Sequence, residues 1–164
     1  MKHLDAFYEP IGRMIVAFQN AESTLSLMIV ALVNEDPRVT MALVTGMSFS
    51  RRLDALRSLA PFKMDQTLSG ELADIVNELG KCENSRNMIV HSSWIASLDG
   101  RQVLRLKPNI SRKKGLRDSV KKAQVSDVTD VTKAIHAAHS KLLRFVEKLT
   151  TKRIITIKAV EEVQ

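Results

Sequence analysis

A single cysteine, Cys82, makes an internal disulfide impossible, and a lone thiol suits a reducing compartment. The glycines at 12, 46, 70, 80, 100 and 115 are scattered and build no phosphate-cradling loop, which argues against a nucleoside triphosphatase. No charged start followed by an apolar stretch opens the chain, so no signal peptide is expected. The apolar run Leu25–Val33 is interrupted by Ser26 and falls far short of the ~20 residues a membrane-spanning helix needs. Neither Cys-x-x-Cys nor His-Glu-x-x-His occurs. His136 and His139 stand three apart with no evident third ligand, so they read as surface histidines, and no metal or other cofactor is expected. Repeats, low-complexity tracts and linker-like stretches are missing too. Residues 1–164 are therefore expected to form one domain of a soluble, cytoplasmic protein.

What the chain does have is basic charge in one place. Arg101, Arg105, Lys107, Arg112, Lys113, Lys114, Arg117, Lys121 and Lys122 stand against the lone acid Asp118, a surplus that accounts for all of the net charge of +7. Such a segment suits a polyanionic partner, with RNA or DNA ahead of a membrane surface, and Lys113, Lys114, Lys121 and Lys122 are candidate phosphate-binding residues. The plainer alternative is a solvated, mobile loop.

Hydrophobic spacing predicts four long helical regions. The first covers about 10–33, with Ile11, Ile15, Phe18, Leu25, Ile29 and Leu32 on one stripe, and ends at Asn34–Pro37. The second covers roughly 38–60, is interrupted at Gly46 and is closed by Pro61; Phe49, Leu53, Leu56 and Leu59 mark its firmer half. The third runs from Leu68 to about Ser92 on Leu68, Leu72, Ile75, Leu79, Cys82 and Ile89. Trp94–Leu98, Asp99-Gly100 and Gln102–Leu106 then read as a small β-hairpin with a two-residue turn. Asn109–Gln124 has no clear stripe and is expected to be a loop within a basic excursion of about 101–124. The last helix covers Val125–Lys152, capped by Ser126 or Asp127, with a stripe of Val128, Val131, Ile135, Ala138, Leu142, Phe145 and Leu149. Ile154–Ile157 is a β-prone tail that either joins the hairpin or crosses the bundle. The expected fold is all-α, a bundle of four to five helices with a small hairpin before the last helix.

Two stripes carry a charge in their middle: Glu22 in the first helix and Arg86 in the third. A buried charge needs a partner. The simplest arrangement sets these helices side by side, with Glu22 meeting Arg86 or Asn87. Arg52 is an alternative partner, and a drifted stripe that exposes both charges is a third possibility.

Arg86 opens the sequence Arg86-Asn87-Met88-Ile89-Val90-His91. Asn87 and His91 are four apart and share a helix face, while Arg86 and His91 flank one groove. Arg-Asn-x-x-x-His late in a long helix, followed by a Trp-containing hairpin and a final helix, resembles the HEPN superfamily (higher eukaryotes and prokaryotes nucleotide-binding). The likeness of arrangement spans most of the chain; the specific motif spans six residues. The resemblance implies a metal-independent endoribonuclease that dimerises with the motifs at the interface. Arg86 and His91 would be the catalytic pair, and Asn87 would support them, as would Glu22 through its ion pair. Histidine suits transfer of a proton from a ribose 2′-hydroxyl or to the leaving 5′-oxygen, and a guanidinium suits the charge that builds on phosphoryl oxygens. Where HEPN toxins with a nucleotidyltransferase antitoxin carry Tyr two residues after the His, this chain has Ser93, which excludes nucleotidylation there.

Three functions compete. The first is an RNA-cleaving protein, by role a toxin or phage-defence component with an antitoxin or other regulator. The second is a non-catalytic module binding nucleic acid or protein. The third is a structural dimerisation bundle in which Arg86 only balances Glu22. Exposure of His91 discriminates against the third. Trp94 is read as packing in preference to base stacking.

Overall fold

The computed structural model describes residues 2–98, 100–111 and 115–156. Five helices and three strands follow in the order α1 (Lys2–Val33), α2 (Pro37–Thr45), α3 (Phe49–Lys63), α4 (Gln66–Val90), β1 (Ser93–Ala96), β2 (Val103–Ser111), β3 (Gly115–Ala123) and α5 (Val125–Thr151). The molecule is thus a mostly helical bundle with a small antiparallel sheet before the last helix.

Local chemistry sets most boundaries. Asp36 caps α2 by accepting from the Arg38 amide at 2.8 Å, and Pro37 begins the helix where its missing N–H is harmless. Ser48 caps α3, and Asp65 caps α4 through the Leu68 amide at 2.8 Å. The cap of α5 is neither Ser126 nor Asp127. Gln124 takes that place, and Asp127 closes a capping box by accepting from the Gln124 amide at 2.9 Å. Two helices end on left-handed residues, Asn34 at φ 59° and Arg153 at φ 56°. At Arg153 the Arg153 and Ile154 amides donate to Thr150 and Leu149 at 2.9 Å each, a Schellman stop. It turns Ile155 into the core, and residues 154–156 form no strand with the sheet.

The stripes of α4 and α5 bury as their spacing requires, with Val131 half-covered. The second helical region is two helices joined at Gly46, and α3 runs through Pro61 to Lys63. Helix α1 departs further from expectation. It starts eight residues before Pro10, because Phe7 is buried and packs against Trp94, with ring centroids 5.1 Å apart and planes tilted by 48°. Its core face runs through Phe7, Met14, Ala17, Phe18, Ala21, Leu25, Met28 and Leu32, while Ile15 is 42% exposed. By length and composition α1 could cross a bilayer, but half of its most apolar window is buried inside the fold, as in the central helix of a bundle.

Helices α4 and α5 pack antiparallel. Lys141 meets Glu78 at 2.6 Å and Lys148 meets Glu71 at 2.5 Å, one heptad apart on each helix. Between α1 and α5 the Thr24 hydroxyl and His139 Nε2 are 2.8 Å apart. His139 is half-buried and not a surface histidine; only His136 of that pair is exposed.

The stretch 109–124, expected from its spacing to be a basic loop, is the main correction. It is largely β-strand, with β2 and β3 forming a second hairpin and the sheet ordered β1-β2-β3. Its stability is cross-strand, so no helical stripe announces it. The first hairpin is also wider than a two-residue turn: Ser97 N–H donates to the Gln102 carbonyl at 2.8 Å, and Gly100 takes φ 67°. Asp99, and Lys113 and Lys114 among the candidate phosphate-binding residues, lie outside the described residues.

Candidate active site

Arg86 occupies the one position in the α4 stripe where an apolar side chain is missing, and it is half-buried there. Its guanidinium carbon sits 4.9 Å from the centroid of the Phe18 ring on α1. Phe18 is itself backed by Phe49 of α3, with centroids 4.4 Å apart. Arg86 Nη1 donates to Asn87 Oδ1 at 2.8 Å, while Nε is buried without a hydrogen-bond partner. A flat cation is thereby fixed on an aromatic face, with one edge steered by the neighbouring amide.

Glu22 does not complete this group. Its carboxylate is ion-paired with Arg52, the alternative that helical spacing leaves open, and not with Arg86 or Asn87. Arg52 is buried, and its Nη2 also donates to the Val44 carbonyl at the end of α2 at 3.2 Å. The pair therefore ties α1, α2 and α3 together. Sequence spacing could not choose between the two arginines, because Arg52, three residues after Phe49 and four before Leu56, lies on the apolar face of α3 just as Arg86 lies on that of α4. Among the described residues no carboxylate makes an ion pair with Arg86.

His91 is the C-terminal cap of α4. Its backbone N–H donates to the Asn87 carbonyl at 3.1 Å, and its side chain is exposed. The chain leaves the helix here because Trp94 supplies what the helix end lacks: its indole Nε1 donates to the Ile89 carbonyl at 3.1 Å. Trp94 is half-buried and packed against Phe7. Met88 and Val90, on either side of the buried Ile89, are 45% and 37% exposed.

The same Trp94 anchors the sheet beside the helix end. Its register partners across the sheet are Arg105 on β2 and then Lys121 on β3. Leu106 pairs with Ser93, two residues past His91. The basic strands thus begin next to the α4 terminus, with Lys121 about 10 Å from the Trp94 backbone at two strand spacings. Lys121 and Lys122 are exposed. Arg105 and Lys121 face one another directly, an arrangement that costs sheet stability when nothing negative lies nearby.

Sequence reasoning missed Glu83. It is half-buried on α4, and burial pushes its carboxyl above the ordinary range. The Ser50 amide in the first turn of α3 and Arg86 pull it back, while Glu22 and Asp54 push it up. Its position three and four residues before Arg86 and Asn87 was the available signal. Burial likewise raises the Cys82 thiol, which suits a packing role. Among the described residues no group of three or more His, Cys, Asp or Glu side chains could hold a metal ion.

No protein-family model matches the chain, and neither a curated protein nor a solved structure matches it.

Proposed function

We propose that the protein is a metal-independent endoribonuclease of the kind its Arg-Asn-x-x-x-His sequence resembles, with Arg86 and His91 as its catalytic pair. One observation carries this reading. Glu22 is satisfied by Arg52, so Arg86 is not spent balancing it, and a guanidinium that no carboxylate among the described residues contacts stands on the helix that ends in the exposed His91. The purely structural reading needs Arg86 to neutralise Glu22 and so loses its motive.

In the proposed reaction a ribose 2′-oxygen attacks the adjacent phosphorus. One histidine takes the 2′-hydroxyl proton, and a second gives a proton to the leaving 5′-oxygen. Arg86 stabilises the charge on the phosphoryl oxygens, held in place by Phe18 and Asn87. The products are a 2′,3′-cyclic phosphate and a 5′-hydroxyl. One chain offers one His91, so the reading includes a two-fold homodimer; the exposed Met88 and Val90 beside it suit such an interface. The row running from Trp94 through Arg105 to Lys121 supports an RNA strand led from the helix end onto the basic sheet. A toxin or phage-defence role on cytoplasmic RNA, with a regulatory protein partner, fits this chemistry. A non-catalytic nucleic-acid-binding module is the second reading, favoured by the same basic row alone.

The test is incubation of purified protein with mixed RNA in EDTA beside His91→Ala. Cleavage should persist in EDTA, leave cyclic phosphate ends and vanish in the variant. RNA with 2′-O-methyl at the cut site should resist. Comparable cleavage of DNA, or full activity in His91→Ala, would defeat the mechanism.

A further inference from the structure

Glu83 precedes Arg86 by three residues and Asn87 by four, so the three share one face of α4. The groups that act on its carboxyl are Glu22 from α1, the Ser50 amide and Asp54 from α3, and Arg86 from its own helix. Two of the acids in this cluster are engaged elsewhere, Glu22 with Arg52 and Asp54 with Arg57 at 2.8 Å. Among the described residues, Glu83 is the acid of this cluster left to balance Arg86, and it does so without a contact ion pair.

That arrangement has a chemical use. A contact pair would close the guanidinium to a phosphate, whereas a looser one keeps a half-buried cation balanced and leaves its edge open. We propose that Glu83 is a positioning residue of this site, a counter-charge that holds Arg86 in the free protein, yields it to a substrate phosphate, and takes up a proton from water as that phosphate arrives. The inference rests on the reading of Arg86 as the phosphate-binding group. Glu83 is already disfavoured as an anion by its burial and by Glu22 and Asp54, with Arg86 and the Ser50 amide opposing them. A phosphate on Arg86 adds a negative neighbour and offsets the field of the guanidinium. The complex then binds more protons than the free protein, so affinity rises as pH falls.

The experiment uses the full chain with His91→Ala, which removes cleavage and the exposed imidazole together. Affinity for a single-stranded RNA oligonucleotide is measured from pH 7.5 to 5.5 at fixed ionic strength, with and without Glu83→Gln. The parent should bind several-fold tighter on acidification. Glu83→Gln, which keeps the shape and removes the charge, should bind on the order of tenfold tighter at pH 7.5 and show a flatter profile. Equal affinity and an unchanged pH slope would overturn the proposal, because a merely structural Glu83 moves neither. If the oligonucleotide does not bind at all, the nucleic-acid reading fails and the Glu83–Arg86 coupling is read directly by NMR. The Arg86 Nε–H resonance should then shift and exchange faster with water in Glu83→Gln; an unaltered resonance would overturn the coupling itself.

Discussion

The Arg86 guanidinium of α4 rests over the Phe18 ring of α1, its carbon 4.9 Å from the ring centroid, while the carboxylate of the same helix α1, Glu22, is held by Arg52 of α3. The two arginines therefore have separate duties. Arg52 is buried and joins three helices, whereas Arg86 is half-buried and its charge faces no carboxylate in contact among the described residues.

Stability should follow that division. Arg52→Ala should destabilise the protein by about 3 kcal/mol, because it strands a mostly buried Glu22 without its cation. Arg86→Ala should cost only about 1 kcal/mol, the worth of a ring interaction and one side-chain hydrogen bond, while abolishing cleavage. Urea denaturation of both variants checks this. Equal losses would show that Arg86 is as structural as Arg52.

The opposed pair Arg105 and Lys121 separates binding from folding. Lys121→Glu places opposite charges across the strands and should leave the melting temperature unchanged or slightly higher. RNA affinity should nevertheless fall, and the slope of its salt dependence should drop by roughly 0.7 for each single-strand phosphate that the variant no longer neutralises. Adding Lys122→Glu should deepen the effect. A salt series that superimposes on the parent's would show the sheet to be a bystander.

Assembly is tested at Met88, exposed one residue from the buried Ile89. Met88→Glu should convert a dimer to monomers in light scattering at tens of micromolar, roughly the range in which a stable interface persists. Cleavage should disappear with the dimer if, as proposed, base and acid come from two copies. A parent protein that is monomeric and cleaves RNA would rule out this division of labour.

His139 makes stability depend on pH. Burial lowers its folded pKa below the ordinary 6.5, with the neighbouring His136 adding to the shift. The unfolded chain therefore binds a proton at His139 before the folded chain does. Stability is complete above pH 6.5 and declines as pH falls from there through the folded pKa. His139→Gln should flatten the change in denaturation midpoint between pH 7.5 and 5.5, and a slope equal to the parent's would assign that dependence to other groups.

The sequence alone determined what depends on neighbours along the chain. Helical periodicity of 3.6 placed Leu68, Leu72, Ile75, Leu79 and Cys82 on one buried line, and fixed Asn87 and His91 a turn apart near the same helix end. Asn34–Pro37 marked the end of the first helix by turn and backbone chemistry that acts within a few residues. Tertiary structure decided what depends on the meeting of distant segments. It chose Arg52 over Arg86 for Glu22, buried the ring of His139 against Thr24, and brought Glu83 under the first turn of α3. It also made strands of a basic stretch with no helical stripe, because a strand gains its stability from the residue opposite it and not from the residue next to it.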